Sequence, residues 1–267
     1  MNKQFILDYS YHNHTTRCGH AKGSDEEYII QALKSGFRVY GVSDHIFLPG
    51  VKQPRIRGDY SLLDEYLTSI NTLKTRYMSE IQIYTAFEAE FLPDFISYYK
   101  DLLASHKVDY LVLGQHGYVE NLQFKFYGNR YWELAEMLKR YTDDLVAGIN
   151  SGLFAFVAHP DFFLSFYPIF DHNAMEATAR IIAAAQKNNM PLEINLGGVR
   201  RGMHDYFVSK RYDYPVREFW VEVAKTDIPV LIGCDAHHPA ELSNIPLDQV
   251  ETLLGDLELN LINRLTF

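Results

Sequence analysis

The sequence contains few of the features that mark exported or membrane-spanning proteins. Its 267 residues include only two cysteines, Cys18 and Cys234, which are too few for a disulfide framework and favour a reducing compartment. No apolar run approaches the roughly 20 residues that span a bilayer, and residues 1–4 do not lead into a long secretory segment. We therefore expect a soluble cytoplasmic protein with no membrane partner.

Basic residues are scarce as well. The chain has 25 Lys and Arg against 34 Asp and Glu, which gives a formal charge of −9. A surface that binds nucleic acid normally shows a basic balance or stripe, so we expect no nucleic-acid partner. An anionic substrate would therefore need a pocket that is locally positive.

The chain does have enough apolar material for a large core. Hydrophobic residues make up 47% of the sequence, which fits either one α/β domain of this length or two small ones. No Gly/Pro/Ser-rich linker or shift of composition divides the chain. We predict a single domain over residues 1–267.

Short β-rich runs alternate with longer amphipathic stretches, a pattern that is typical of parallel βα units. Seven candidate strands lie at 8–14, 37–45, 81–90, 108–116, 153–161, 190–198 and 228–237. Candidate helices lie at 25–35, 61–78, 94–106, 130–151, 174–188, 215–226 and 247–254. Four polar residues are candidate N-caps of these helices: Ser24, Ser61, Asn129 and Asn173.

Side chains that bind metals recur at the ends of these strands. Six of the seven runs finish with such residues, namely His12 and His14, His45, Glu88, His116, His159, and Asp235 with His237. In a parallel α/β barrel the carboxyl ends of all strands converge on one face, so these residues would meet in one pocket. His20 lies in the loop after the first run and is a further candidate.

The spacing of these residues points to metal chemistry. In an extended strand His12 and His14 would project to the same side, about 7 Å apart, and could grip one ion. Imidazole suits zinc and iron, whereas carboxylates suit harder ions and can bridge two metals, so the mixed set predicts more than one divalent cation. Two such ions can activate water and clamp the oxygens of a displacement at phosphorus, which indicates hydrolysis.

Each residue also has a structural interpretation. A single histidine near a strand end is more often a hydrogen-bonded structural residue than a ligand. Cys18 could be a soft ligand, although a buried structural thiol is the commoner case. Asp44, beside His45, would either orient a ligand or satisfy a backbone N–H. The recurrence of ligand types at successive strand ends favours the metal site.

Seven short motifs, taken in order, resemble one known family. "HNHTTRCGHA", "SDH", "FEAE", "QH", "AHPD", "EINLGGVRRG" and "CDAH" resemble the polymerase and histidinol phosphatase (PHP) family, and within it the histidinol-phosphate phosphatase branch. The resemblance extends from about residue 8 to about residue 240. It implies a distorted (βα)7 TIM-like barrel of the α/β class with three divalent metal ions, for which zinc, iron and manganese are candidates.

The resemblance also implies which residues bind each ion. The first ion would take His12, His14, Glu88 and Asp235. The second would share Glu88 and add His116 and His159. The third would take His20, His45 and His237.

Two further residues acquire roles, Arg200 through the resemblance and Asp161 through its place next to His159. Arg200 would contact phosphate, and its planar fork can donate two parallel hydrogen bonds to phosphate oxygens; the alternative is a solvated arginine at a strand end. Asp161 is the candidate general acid for the leaving group, and an orienting role beside His159 is the alternative. Arg201 and the loop at 203–214 are candidates for enclosing the substrate.

Some residues depart from the pattern of the branch. Glu90 stands where aspartate is common, Gly114 and Gln115 replace a Ser-Val pair before His116, and Cys234 stands where serine is common. These departures leave the ligands intact but alter the wall of the pocket. They therefore affect the identity of the substrate more than metal binding.

The expected function is hydrolysis of a phosphate monoester. A hydroxide that bridges the first two ions would attack phosphorus in line while the ions and Arg200 neutralise the developing charge. The resemblance implies L-histidinol phosphate as substrate, in histidine biosynthesis. Alternatives are another small phosphate, a phosphotyrosine, an exonuclease substrate, which the few basic residues disfavour, or a metal-dependent regulatory module without catalysis. The oligomeric state stays open.

Overall fold

The fold is built on an eight-stranded sheet in which every neighbouring pair is parallel. The computed structural model describes residues 7–129, 133–206 and 209–267. In sheet order the strands are β1 (Tyr9–Ser10), β2 (Val39–His45), β3 (Gln82–Ala89), β4 (Tyr110–Leu113), β7 (Phe156–Val157), β8 (Leu192–Asn195), β11 (Pro229–Gly233) and β12 (Asn260–Leu261). The first seven of these coincide with the seven predicted runs, and the predicted parallel α/β class is confirmed.

The sheet curls until its first and seventh strands approach each other. Beyond the ends of β1 and β11, Asn13 forms an isolated parallel bridge with Ala236. The backbone N–H of His14 donates to Ala236 O at 2.9 Å, and that of Asp235 donates to His12 O at 2.7 Å. The segments after β1 and β11, which carry predicted ligands, are therefore hydrogen-bonded to each other, and this fixes the positions of those residues.

Eight α-helices accompany the sheet among the described residues. They are α1 (Asp25–Lys34), α2 (Leu63–Tyr77), α3 (Ile96–Ala104), α4 (Leu134–Asn150), α5 (His172–Asn188), α6 (Leu196–Arg200), α7 (Arg217–Val223) and α8 (Leu247–Leu254). None of the described helices has the length and apolar character needed to cross a membrane.

One of the four predicted helix caps is confirmed. The Ser24 hydroxyl accepts from Glu27 N, and the Glu27 side chain accepts in return from Ser24 N, which is a complete capping box. Asn173 is wrong as a cap, because the Asp171 carboxylate accepts from the first backbone N–H groups of α5. Ser61 and Asn129 are also wrong. The N-cap positions of α2 and α4 are Leu62 and Glu133, and the start predicted for α4, 130–132, lies outside the described residues.

Several elements differ from the prediction. The run at 190–198 ends as a strand at Asn195, because the Asn195 side chain accepts from Gly197 N and begins α6. Two hairpins were not predicted, β5 (Gly117–Glu120) with β6 (Gln123–Phe126) and β9 (His204–Tyr206) with β10 (Ser209–Arg211). The two-residue strand β12 was also missed, because it is too short to show a period.

Aromatic side chains fill the amino-terminal end of the curled sheet. Tyr9, Tyr11 and Tyr110 belong to a buried cluster inside the sheet, and Phe267 stacks on the Tyr110 ring with centroids 4.2 Å apart. The Tyr9 hydroxyl accepts from Ile232 N at 3.2 Å and donates to Ile262 O at 2.9 Å. This end is closed by packing, so the open face of the sheet lies at its carboxyl end.

The Tyr9 hydroxyl should contribute measurably to stability. We expect Tyr9→Phe to lower the free energy of unfolding by about 1–3 kcal/mol, because it leaves a buried backbone N–H without a partner. Tyr40→Phe is the matched control, since the buried Tyr40 hydroxyl has no hydrogen-bond partner among the described residues, and it should be neutral or stabilising. Denaturant titration measures both variants, and equal losses would contradict the assignment.

Candidate metal centre

All nine predicted ligand positions lie at the carboxyl end of the sheet. His45 is the last residue of β2, and Glu88 is the last but one of β3. The other seven follow a strand or a short turn: His12 and His14 after β1, His20 after the turn Thr16–Cys18, His116 after β4, His159 after β7, and Asp235 and His237 after β11. Residues separated by more than 200 positions thus meet on one face.

The Glu88 carboxylate is the centre of this arrangement. It is 1% exposed, and its two oxygens face five imidazole rings. Oε1 lies 3.0 Å from a ring nitrogen of His159 and 3.4 Å from nitrogens of His12 and His116. Oε2 lies 3.0 Å from Nδ1 of His45 and 3.6 Å from Nε2 of His14. One carboxylate therefore reaches the residues predicted for both of the first two ions.

Asp235 completes the first predicted set. Its Oδ1 lies 3.0 Å from His14 Nε2 and 3.7 Å from His12 Nε2. His237 Nδ1 lies 3.5 Å from the same oxygen. His237 Nε2 approaches His20 Nε2 to 3.0 Å, and the His14 and His237 rings stack with centroids 4.0 Å apart. His20 and His237 thus form the pair expected at the third ion.

His45 differs somewhat from its expected place. Its ring centroid lies 5.6 Å from that of His20, but its Nδ1 is directed at Glu88. One ligand atom from each of His14, His45 and His237 nevertheless lies within 4.8 Å of the others. The first and third predicted sets are therefore continuous rather than separate.

The buried polar atoms of the cluster fit divalent cations. His12 Nε2 and Glu88 Oε2 are fully buried, and neither makes a hydrogen bond of acceptable geometry within the described part of the chain. Buried polar atoms without a partner are costly, and both atoms face the space among the ligands. Coordination of a metal ion would satisfy them, and imidazole nitrogen with carboxylate oxygen is a suitable donor set.

The pKa values of the cluster shift in both directions: neighbouring carboxylates outweigh burial and raise the pKa of His12, of His14 to about 9 and of His116, whereas other members are held in the forms that bind metals. Burial opposes ionisation of Glu88, but His116, His12 and His45 hold its pKa well below the usual value. Burial and the neighbouring His14 lower the pKa of His45 well below its ordinary value and that of His237 to about 3. Ionised carboxylates and neutral imidazoles are the forms that bind metals.

Three buried carboxylates surround the ligands. Glu193 on β8 has both oxygens 3.1 Å from His12 Nδ1 and also accepts from the backbone N–H of His159 at 3.3 Å. Glu90 lies 3.1 Å from His116 Nδ1 and is paired with Arg57. Asp44 lies 3.5 Å from His14 Nδ1. Such partners fix the orientation of metal-binding histidines.

Glu193 was missed as a site residue by sequence reasoning. It stands on the one predicted strand to which no ligand was assigned, two residues before Asn195, whose amide donates to it at 2.7 Å. That spacing puts both side chains on one face of β8, as in the His12 and His14 pair. The alternation of polar residues in "EIN" was the available signal.

Two glycines make room for these carboxylates. A Cβ at Gly114 would overlap Glu88 Oε1, and a Cβ at Gly233 would overlap Glu193 Oε1. The departure that puts Gly114 before the predicted ligand His116 therefore has a physical reason. Any larger residue there would displace the central carboxylate.

Arg200 lies beside the pair His20 and His237. Its Nη2 donates to Asp235 O at 2.8 Å and to Cys234 O, whereas its buried Nη1 has no partner among the described residues. It borders a cavity of about 400 Å³, together with His20, Lys22, His237, His238, Ala240, Glu241 and Asn244. The structure thus brings Arg200 to the centre with one nitrogen uncommitted.

Asp161 is fully buried away from the ring nitrogens of the cluster. Its Oδ2 accepts from Val216 N at 2.6 Å and from Trp220 Nε1 at 3.1 Å, and burial raises its pKa to about 7. These contacts attach the segment after β7 to the start of α7. They suit the orienting role that the sequence left open, and the general-acid role stays a prediction.

Cys18 and Arg201 also lie close to the cluster. The Cys18 sulfur accepts from Ala21 N at 3.3 Å, and burial raises its thiol pKa to about 12, which suits a structural residue. The Arg201 guanidinium lies 4.8 Å over the Tyr214 ring, which in turn lies 5.2 Å from the ring of His159. Tyr214 therefore borders His159 and Arg201 packs on Tyr214, and the enclosure of the substrate by Arg201 and the loop at 203–214 stays a prediction.

Comparison with known proteins finds one matching family model and several similar proteins. The model of the PHP domain matches residues 10–197. A probable histidinol-phosphatase of Deinococcus radiodurans is 26% identical over 237 residues, 86% of each chain. The histidinol-phosphatase of Bacillus subtilis is 23% identical over 262 residues, 86% of this chain and 94% of that protein.

A solved structure shares the fold. It is the histidinol phosphate phosphatase of Lactococcus lactis, in complex with zinc, L-histidinol and phosphate. It superposes with a TM-score of 0.68 at 14% identity, covering 98% of this chain and all of that one. Its fold agrees with the TIM-like barrel expected from the sequence.

Glu193 should strengthen metal binding without touching an ion. We expect Glu193→Gln to weaken metal binding about 10- to 100-fold, because a neutral amide orients His12 less firmly and makes it a weaker donor. Competition against a chromophoric chelator measures this affinity. Glu258→Gln, at an exposed position, is the control and should leave it unchanged. Equal affinities for the two variants would show that Glu193 has no part in the centre.

Proposed function

The chain belongs to the PHP domain family, and on that premise we propose that it is a metal-dependent phosphatase that hydrolyses L-histidinol phosphate to L-histidinol and phosphate. The proposal takes residues 1–267 as one metallohydrolase domain. Such an enzyme would act in histidine biosynthesis in the cytoplasm.

The observation that carries this proposal is the position of the Glu88 carboxylate among five imidazole rings. A single ion cannot accept five nitrogens and both carboxylate oxygens in a four-coordinate site, which is the usual geometry of zinc. The cluster therefore suits several ions. We propose three, with zinc, iron and manganese as candidates.

Each of the three ions would be bound by its own set of residues, with Glu88 shared between two of them. His12, His14, Glu88 and Asp235 would hold the first, Glu88 with His116 and His159 the second, and His20, His45 and His237 the third. When bound, divalent ions activate water and neutralise charge on phosphoryl oxygens. Glu193, Glu90 and Asp44 keep the histidine rings oriented for this task.

The charges of the pocket suit a phosphate dianion. Three divalent ions would carry six positive charges, and Arg57 and Arg200 would add two. The carboxylates Asp44, Glu88, Glu90, Glu193, Asp235 and Glu241 carry six negative charges. The pocket would thus be cationic inside an acidic protein, and it would draw in an anionic substrate.

Arg200 is the residue that we assign to the phosphoryl group. Its buried Nη1 carries two N–H groups for which the described chain has no acceptor, and the Arg200 side chain borders the cavity beside His20 and His237. Charge-assisted hydrogen bonds from this nitrogen to phosphate oxygens would satisfy a buried donor and stabilise charge in the transition state.

The relatives support L-histidinol phosphate as the substrate. Two curated relatives are named as histidinol-phosphatases, one of them as probable, and each aligns with 86% of this chain. The similar structure from Lactococcus lactis contains L-histidinol and phosphate, the two products of that reaction. The ligand positions identified here serve the same chemistry in this proposal.

A phosphate-release screen tests the substrate. With metal-loaded protein, we expect kcat/KM for histidinol phosphate to exceed that for other small monoesters and phosphotyrosine by more than about tenfold. Arg200→Ala should lower kcat/KM about 10- to 100-fold, because it removes charge-assisted hydrogen bonds. Arg180→Ala, a surface arginine paired with Asp143, is the control. Specificity constants within tenfold of each other would exclude a dedicated histidinol phosphatase.

A further inference from the structure

The guanidinium of Arg200 is held from three directions, and only one nitrogen is left over. Nη2 donates to the backbone oxygens of Cys234 and Asp235. Nε lies 3.5 Å from Glu241 Oε2. Nη1 is buried and has no partner in the described part of the chain. The two contacts of Nη2 and the one contact of Nε therefore set the direction in which Nη1 points.

Glu241 makes the only charged contact of this group among the described residues. Its Oε2 also accepts from the backbone N–H of His237 at 2.7 Å. One oxygen thus contacts both the arginine that we assign to phosphate and a residue that we assign to the third ion. The Arg200 side chain is 15% exposed and that of Glu241 is 31% exposed, so both are partly shielded from water.

The element that carries Glu241 is well anchored. It lies in the short 3₁₀ helix Pro239–Leu242, whose Leu242 is fully buried. The loop before α1 packs closely on this helix, because a Cβ at Gly23 would meet Pro239 at 2.6 Å. Lys22 N donates to His237 O at 2.8 Å from the same loop. A carboxylate on this support has a fixed position from which to orient a neighbour.

We propose that Glu241 is a positioning residue for phosphate binding. It holds the Arg200 guanidinium and the His237 backbone in one arrangement, so that Arg200 Nη1 points at the phosphoryl group beside the third ion. A phosphate monoester or free orthophosphate then meets a guanidinium that protein contacts have already oriented. The proposal rests on the proposed function for the role of Arg200.

Glu241→Gln separates this role from structural support of His237. The amide oxygen of glutamine still accepts from His237 N, but the charge that faces Arg200 is lost. We expect the Kd of orthophosphate and the KM of the monoester to rise about three- to tenfold, with a smaller effect on kcat. Isothermal titration of the metal-loaded full chain with orthophosphate measures the binding without reference to the substrate.

A double-mutant cycle tests the coupling. In the Arg200→Ala background, Glu241→Gln should have no further effect on the Kd of orthophosphate, because its effect passes through Arg200. Glu222→Gln, on the surface of α7, makes the same chemical change away from the site and is the control. Metal content, measured for every variant, should be unchanged by Glu241→Gln.

Three results would overturn the proposal. The first is an unchanged Kd of orthophosphate in Glu241→Gln while Arg200→Ala weakens binding. The second is an equal loss of orthophosphate affinity when Glu241→Gln is made in the unmodified protein and in Arg200→Ala. The third is a loss of affinity that parallels a loss of bound metal. Failure of the proposed function differs from all three, because it would appear as no phosphate release from any monoester by the unmodified protein.

Discussion

The site depends on one buried carboxylate. Glu88 lies within 3.0–3.6 Å of nitrogens from five histidines that come from four separate stretches of the chain. Burying a carboxylate is costly unless positive charge or donors surround it, and here the surroundings hold the Glu88 pKa well below its usual value. Gly114 leaves the space that this carboxylate occupies. The proposed ions would replace shared protons as the positive charge that holds these groups together.

The two ends of the curled sheet carry different kinds of side chain, and this difference confines the polar residues to one face. The amino-terminal end of the curled sheet is filled by Tyr9, Tyr11 and Tyr110, with Phe267 stacked beneath. The carboxyl end carries the polar residues, and backbone hydrogen bonds between the segments after β1 and β11 hold their histidines and Asp235 close together. Positive φ angles at His159 and Asp235 show that the backbone accepts strain to aim two of these side chains. Aromatic packing thus stabilises the amino-terminal end of the sheet, while the carboxyl end contains the strained backbone and the charged residues.

The sequence predicted those features that depend on local pattern. The period of polar and apolar residues located seven strands, and the type of residue at each strand end indicated which side chains would converge on one face. The sequence analysis missed Glu193 and Glu241, because their importance comes from contacts with His12 and Arg200, which are distant along the chain. The anchoring of Arg200 by two carbonyls and one carboxylate depends on how α6 packs beside the end of β11. No single-sequence pattern encodes that geometry. Strand β12 and the two hairpins were too short to show a period.

Anomalous scattering from crystals of the metal-loaded protein tests the central claim most directly. If Glu88 joins the ions, separate peaks should appear at coordination distance from each of its oxygens, about 2.0–2.2 Å for zinc. A third peak should lie between His20 and His237. A single peak remote from Glu88, with that carboxylate still hydrogen-bonded to protonated histidines, would contradict the account.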